Sequence, residues 1–452
     1  MDEREMNRRN RWGAESFCGG LVVALAVALL AGGCGGDRTG GSSGREVRDG
    51  GQTSRERLSD SVRFIETPVA QWEQPARLRL VREVRGAAIS AATGESSLAP
   101  TFGDIRDVAP GRNGRILVLE GREARVTVVG RNGDVVRRLG GRGAGPGELS
   151  TPDRVEAAPH GELLVLERRP AAIHRWRDGE YAGATTLTPS SLSAETSGGP
   201  SDVTGLADWG PALAGGRAVR LIRLDLSDPS ASASAVYVAD SAGRIDAPAL
   251  AWSTPGTRSG LPEVFGSRPS WTAGDGPHGP PWFAVARGDR YEIRLHDVSG
   301  ALRTVIRRDV EPPPVTDELR ERALDGFVEE AGRAGAPPGM AAELRDQLPV
   351  SERLPVIGDL WQSTPDGRLW VGLVGPGSPS EPASVIREYD VYGPGGRYMG
   401  PVPSPAGFEL HRVRDRLLYG SWKDSLGVPG VRIYRLVEPQ DPSDISSAPG
   451  PP

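Results

Sequence analysis

The chain has 452 residues, of which 61 are glycine and 40 proline, so more than one position in five is a turn former, against roughly 12% in ordinary proteins. Backbone breakers at that density exclude a helical bundle or a coiled coil, while 37% hydrophobic residues leave room for a core of many short strands. With 54 basic and 59 acidic side chains and a net charge of −5, nothing draws the chain to nucleic acid overall. It carries no nucleic-acid motif, and no nucleic-acid partner is expected.

In chain order, the first feature is the apolar run Leu21 to Leu30, which has the length of a signal-peptide core and is too short to span a bilayer as an ordinary helix. Arg8, Arg9 and Arg11 precede it, and a start at Met6 would omit Asp2, Glu3 and Glu5. Ala31-Gly32-Gly33-Cys34 follows, then the Gly/Ser-rich stretch from Gly35 to Gly51. This segment resembles a bacterial lipoprotein signal. The resemblance implies that residues 1–33 are removed and that Cys34 is lipidated, with acyl chains holding the protein to a membrane of the cell envelope, on the periplasmic or cell-surface side. Cys18 and Cys34 are the only cysteines, so the mature chain would form no internal disulfide and would depend on a sizeable core. Residues 34–70 read as a flexible tether. Within it, Gly40-Gly41-Ser42-Ser43-Gly44 matches the G-x-S-x-G nucleophile pattern, but no strand and helix flank it.

Beyond the tether a repeat takes over. The segment Gly114 to Glu120 (GRILVLE) returns as Gly161 to Glu167 (GELLVLE) 47 residues later, and the turns Asn132-Gly133 and Asp178-Gly179 keep nearly the same spacing. A period of that size, made of short strands and tight turns, is the signature of propeller blades. Asn113-Gly114 supplies positive φ for a hairpin, Ile116 to Leu119 suits a strand buried on both faces, and Arg125 to Val129 and Val135 to Arg138 complete the unit. Further units are read near Val203 to Trp252, at Trp282 to Arg307, at Asp366 to Val391 and from Phe408 to Leu436. Leu78 to Val81 is available as a strand to close the ring. The count is six blades, with five or seven as alternatives.

The linker Gly140 to Leu149 (GGRGAGPGEL), followed by Pro152, resembles the inter-blade linker of bacterial six-bladed, NHL-repeat-like β-propellers. The likeness covers roughly residues 71–438 and implies an all-β fold far more than an activity. Between blades four and five a helical insertion is expected over 316–348. Leu319, Ala323, Leu324, Phe327, Val328 and Ala331 share one face there, and Thr316 serves as N-cap. Thr185 to Ser201 and Trp252 to Pro281 read as long connections, and residues 439–452 as a disordered Pro/Ser-rich tail.

Candidate chemistry is sparse. The Gly-rich linker lacks the lysine of a phosphate loop, and Arg287-Gly288-Asp289 sits where a hairpin turn is expected. Five histidines, His160, His174, His278, His296 and His411, form no ligand pair, which argues against zinc, and only His411 is placed to face the channel. Counting back eight residues from each turn glycine gives Asp153, Asp208 and Asp359, three carboxylates that would converge on a propeller axis. Together they would repel unless calcium sat among them. Arg106, at the same count in blade one, offers neutralisation without metal. The leading expectation is therefore a monomeric, lipid-anchored exported propeller that binds a protein, peptide or glycan, with no assigned catalytic residue and no certain cofactor. The alternative is a calcium-dependent hydrolase or lyase with its site at the channel mouth.

Overall fold

The computed structural model describes residues 62–439 apart from 67–69, 86–101, 159–160, 190–201, 214–215, 226–232, 246–247, 254–262, 277–278, 334–336 and 379–381. The signal segment, Cys34, the Gly40–Gly44 match, His160, His278 and the tail beyond 439 lie outside the described residues.

The protein is a six-bladed β-propeller with a helical insertion. Blade one runs Ile105–Pro110, Ile116–Glu120, Arg125–Val129 and Val135–Gly140, and blade two Pro152–Ala157, Leu163–Arg168, Ala171–Arg177 and Glu180–Thr186. Each is an antiparallel meander. Blade three is built on Asp202–Leu213, Gly216–Asp225 and Ala233–Ala239, with Arg244–Ile245 and Leu250–Ser253 sharing its outer edge. Blade four comprises Ser270–Gly276, Gly279–Arg287, Glu292–Asp297 and Leu302–Arg307, and blade five Ile357–Thr364, Leu369–Pro376, Ser384–Gly393 and Arg397–Pro403. Blade six takes three strands from the end of the fold, Glu409–Arg414, Leu417–Lys423 and Pro429–Val437. Its fourth, Arg77–Arg85, comes from the beginning and pairs antiparallel with Pro429–Val437. The inner strands contact one another in sequence, and that of blade six returns to that of blade one, closing the ring.

Burial follows from this stacking. A twisted sheet with apolar side chains on both faces must be covered on both. Accordingly, each neighbouring pair of blades shares one apolar cluster. Leu117, Leu119, Val126 and Val128 of blade one meet Val155, Leu163, Val165 and Trp176 of blade two. Val108, Ile116 and Val118 meet Tyr419, Val431 and Ile433 of blade six on the other side. The repeated glutamates Glu120 and Glu167 are fully buried for a related reason. Glu120 accepts the N–H of Gly103 at 3.2 Å, and Glu167 those of Ser150 and Thr151 at 2.5 and 2.6 Å. Each thereby fixes the segment leading into the inner strand of its own blade.

Two segments differ from expectation. Arg63–Glu66, expected inside the tether, is a parallel fifth strand on Leu302–Arg307 of blade four. Ser270–Gly276, expected within a long connection, is the inner strand of blade four; its Ser-Trp-Thr-Ala-Gly-Asp-Gly run shows no apolar periodicity because the strand packs through Trp271 and Ala273 alone. The helices are α1, Asp317–Arg333, and α2, Pro338–Gln347. Thr316 caps α1 as expected, its Oγ1 accepting the N–H of Leu319 at 3.2 Å.

The chain enters the closing strand through Trp72, whose N–H donates to the Met399 carbonyl at 2.9 Å and whose ring lies against Gly400, where a Cβ would come within 2.8 Å. Replacing Trp72 by Ala is expected to lower stability by about 3–5 kcal/mol, as for other buried Trp truncations. Urea denaturation checks this, and a loss under about 1 kcal/mol, the level of an ordinary surface change, would show that the closure is anchored elsewhere.

Candidate functional site

Antiparallel strands fix which connections share a face of the ring. The links from one blade to the next lie on the face at which the inner strands begin, together with the turns between second and third strands. The helical insertion is one of those links. Arg322 of α1 donates to the carbonyls of Gly377 and Ser378 at 3.3 and 2.5 Å, at the turn between the second and third strands of blade five. Val264, on the link into blade four, exchanges backbone hydrogen bonds with the segment after α2. This is the mouth face of the channel.

Near the mouth the inner strands slip register by one residue, between Ile105 and Asp107, Pro152 and Arg154, Leu206 and Asp208, Ile357 and Asp359, and Leu410 and Arg412. Such a bulge re-aims the side chains beside it. The residue after the slip is charged in all five blades: Asp107, Arg154, Asp208, Asp359 and Arg412. Blade four has no slip at this level and contributes the indole of Trp271 instead. That indole lies over Gly210, where a Cβ would approach the ring to 2.5 Å.

Most of these charges are bound to a partner. Arg412 Nη2 donates to Asp107 Oδ2 at 2.8 Å, and the Val155 N–H donates to the same oxygen at 2.9 Å. Asp208 takes Arg220 on Oδ2 at 2.7 and 3.1 Å and the Trp271 Nε1–H on Oδ1 at 2.8 Å. Two residues deeper than Arg154, Glu156 is held bidentate by Arg217 at 2.9 and 2.6 Å. Burial works against its charge, but Arg217, Arg412 and Arg154 keep its carboxyl below the usual range.

Arg154 and Asp359 are different. Among the described residues Arg154 has no hydrogen bond and no carboxylate within 4.0 Å, although Asp107, Asp153, Asp208 and Glu156 all act on it and, against the cost of burial, hold its guanidinium firmly charged. Asp359 has a single partner, the N–H of Leu360 at 2.8 Å. Its carboxyl is open to channel water yet walled in by protein, and that desolvation pushes its pKa up to about 6. The Leu360 N–H, Arg154 and Arg220 pull it down, and Asp208 pushes it up. Blades two and five face each other across a six-membered ring, so these two groups stand on opposite walls.

The three aspartates expected to hold calcium have the following surroundings. Asp153, Asp208 and Asp359 do line the mouth, but Asp153 is taken by Arg168 at 2.7 Å and by Arg106 at 3.5 Å, and Asp208 by Arg220 and Trp271. Among the described residues no three His, Cys, Asp or Glu side chains gather as a group able to hold a metal. Guanidinium groups pair with Asp153 and Asp208, and among the described residues none forms an ion pair with Asp359. The counting rule slipped because the first turn of blade five is one residue longer than those of blades one and two. Gly367 therefore lies eight residues after Asp359, whereas Gly161 lies seven after Arg154. Counted by repeat, Arg154 is the 47-residue equivalent of Asp107, a signal present in the sequence. Arg217, Arg220, Trp271 and Arg412 carried no comparable signal.

His411, the histidine expected at the channel, lies on the inner strand of blade six. Its Nε2 is 3.0 Å from Ser421 Oγ, its Nδ1 3.9 Å from Asp107 Oδ1, and burial lowers its pKa. This sequence of groups does not make a nucleophile. Ser421 is buried and also reaches Glu409 at 3.4 Å, and Asp107 is already filled by Arg412 and the N–H groups of Val108 and Val155. His174 is buried against Glu167, its Nε2 2.9 Å from Oε2. Arg287 and Asp289 pair with each other across their turn at 2.8 Å.

No family model matches the chain, and no curated protein matches it. Among solved structures it is similar to a Bacteroides fragilis protein named only as a candidate for export, at 11% identity over 83% of this chain and all of that one, with a TM-score of 0.43. It is also similar to a member of the DUF4221 family from Bacteroides vulgatus, at 9% identity over 80% of this chain and 99% of that one, TM-score 0.43. A third likeness is to virginiamycin B lyase from Staphylococcus aureus, at 10% identity over 80% of this chain and all of the lyase, TM-score 0.39. These likenesses say nothing about activity, and the propeller assignment rests on the six blades themselves.

The raised pKa of Asp359 has a consequence for stability. Between about pH 4 and 6 the folded protein keeps a proton that the unfolded chain has released, so this group makes stability fall as pH rises through that window. Asp359→Asn is therefore expected to leave the thermal midpoint nearly unchanged at pH 4 and to raise it relative to wild type at pH 7 to 8. A midpoint difference that stays constant from pH 4 to 8 would contradict the assignment.

Proposed function

We propose that the protein is an exported, lipid-anchored propeller that acts as a binding module at the cell envelope and receives a polar ligand, from a protein, peptide or glycan, at the mouth of its channel. The observation that supports this best is the pairing of charges in the lumen. They form fixed donors and acceptors contributed by successive blades and, among the described residues, have no accessible nucleophile beside a base and no metal-holding group. Preformed polar groups at the end of a rigid scaffold suit recognition. The alternative of a calcium-dependent hydrolase or lyase would need Asp153 and Asp208, which arginines already pair, together with Asp359.

Two measurements test the proposal. Cys34→Ala is expected to move the protein from the membrane fraction to the soluble fraction, and retention with the membrane would overturn the anchor. On peptide and glycan arrays, a ligand held by the wild type is expected to be lost by the Arg154→Gln, Asp359→Asn double variant and to be recovered chemically unchanged. Recovery of a cleaved ligand, with cleavage abolished in Ser421→Ala, would replace the binding reading with an enzymatic one.

A further inference from the structure

Among the described residues, one positive and one negative group of the lumen are without an ion-pair partner, and they stand on opposite walls. Arg154 stands on the inner strand of blade two and Asp359 on that of blade five, at the same register position after the bulge. They are more than 4.0 Å apart, since they form no ion pair, yet near enough for the guanidinium to favour the ionised form of Asp359. The carboxylates surrounding Arg154 do not cancel it, because each is already committed: Asp107 to Arg412, Asp153 to Arg168, Asp208 to Arg220 and Glu156 to Arg217. Leaving a charge unpaired inside a protein is costly. Both groups keep a route to water, Arg154 being partly and Asp359 largely accessible.

Resting on the binding-module reading above, we infer that the channel binds a small zwitterion, an amino acid or a short peptide, with its carboxylate on the Arg154 guanidinium and its ammonium on the Asp359 carboxylate. A guanidinium presents parallel N–H donors matched to a carboxylate. An aspartate already accepting a single backbone N–H retains acceptor positions for an ammonium, which carries three donors. The ligand would complete both pairs at once without disturbing the existing ones. A ligand with only an anionic or only a cationic end would leave one wall group as it is.

Isothermal titration calorimetry of the full chain at pH 7.5, where Asp359 is ionised, tests this with glycine, β-alanine, γ-aminobutyrate, dialanine and trialanine, which set the two charges at increasing separations. One length is expected to bind best. Its N-acetyl derivative, which lacks the ammonium, and its carboxamide, which lacks the carboxylate, are each expected to bind at least about tenfold more weakly, the loss of a charge-assisted contact. Asp359→Asn should abolish the preference for the zwitterion over the N-acetyl form while keeping its preference over the carboxamide, and Arg154→Gln should do the reverse. Arg154→Lys and Asp359→Glu, which keep the charges, should restore part of each preference. The inference is overturned if no member of the series gives heat at millimolar concentration, or if wild-type protein binds the N-acetyl or carboxamide form as tightly as the zwitterion. The ligand series on wild-type protein decides this even if a variant fails to fold. A failed series alongside an array ligand lost in the double variant would sink the zwitterion and leave the binding module standing.

Discussion

The pairing of Arg77–Arg85 with Pro429–Val437 is the constraint on which the rest of the molecule depends. Each blade has two apolar faces and can cover them only with neighbours, so an open arc of six would leave two faces wet. The closing strand joins the two ends of the chain across some 350 residues. The entropy of so long a closure grows only logarithmically with its length, and the burial it completes outweighs that cost. The seam between blades six and one is then an ordinary interface, packed by Val84, Tyr419, Val431 and Ile433 against Val108, Ile116 and Val118.

The same closure creates the lumen and its electrostatics. Contacts run from blade to blade: Arg412 of blade six to Asp107 of blade one, Arg106 to Asp153, Arg217 to Glu156, and Trp271 to Asp208. At this level the blade four to blade five contact is a neutral one, from the Ser270 hydroxyl to the Gly358 carbonyl at 2.6 Å. Partly desolvated charges are tolerated when each has a bonded partner. The ring therefore both neutralises itself and locks adjacent blades in register. Arg154 and Asp359 depart from that pattern on opposite walls, in the part of the channel that water enters.

Local physics made much of the fold legible. Ile116 to Leu119 and Leu163 to Leu166 are apolar runs long enough to mark buried strands, and Asn113-Gly114 takes the positive φ its turn demands. The same logic located the capped helix at Thr316 and the closing strand near Leu78. It failed for Ser270–Gly276, where close packing against blade five leaves Gly274 no room for a side chain beside Gln362 and so removes the periodicity a reader would look for. It also failed for Arg63–Glu66, whose only strand-forming reason is the exposed edge of blade four.

By itself, then, the sequence determined the repeat, the propeller class and the placement of acidic residues on the inner strands, because strand burial and turn conformation are set by neighbours within one hairpin. The tertiary structure decided what those acids do. A bulge in five of the six inner strands re-aims one charged residue, and where that residue is paired between blades its partner is distant in sequence, more than 300 residues away in the case of Asp107 and Arg412. Charge pairing between neighbouring blades depends on distances that only ring closure sets. Around the aspartates found by counting, the described residues form arginine–carboxylate pairs and leave Arg154 and Asp359 outside them.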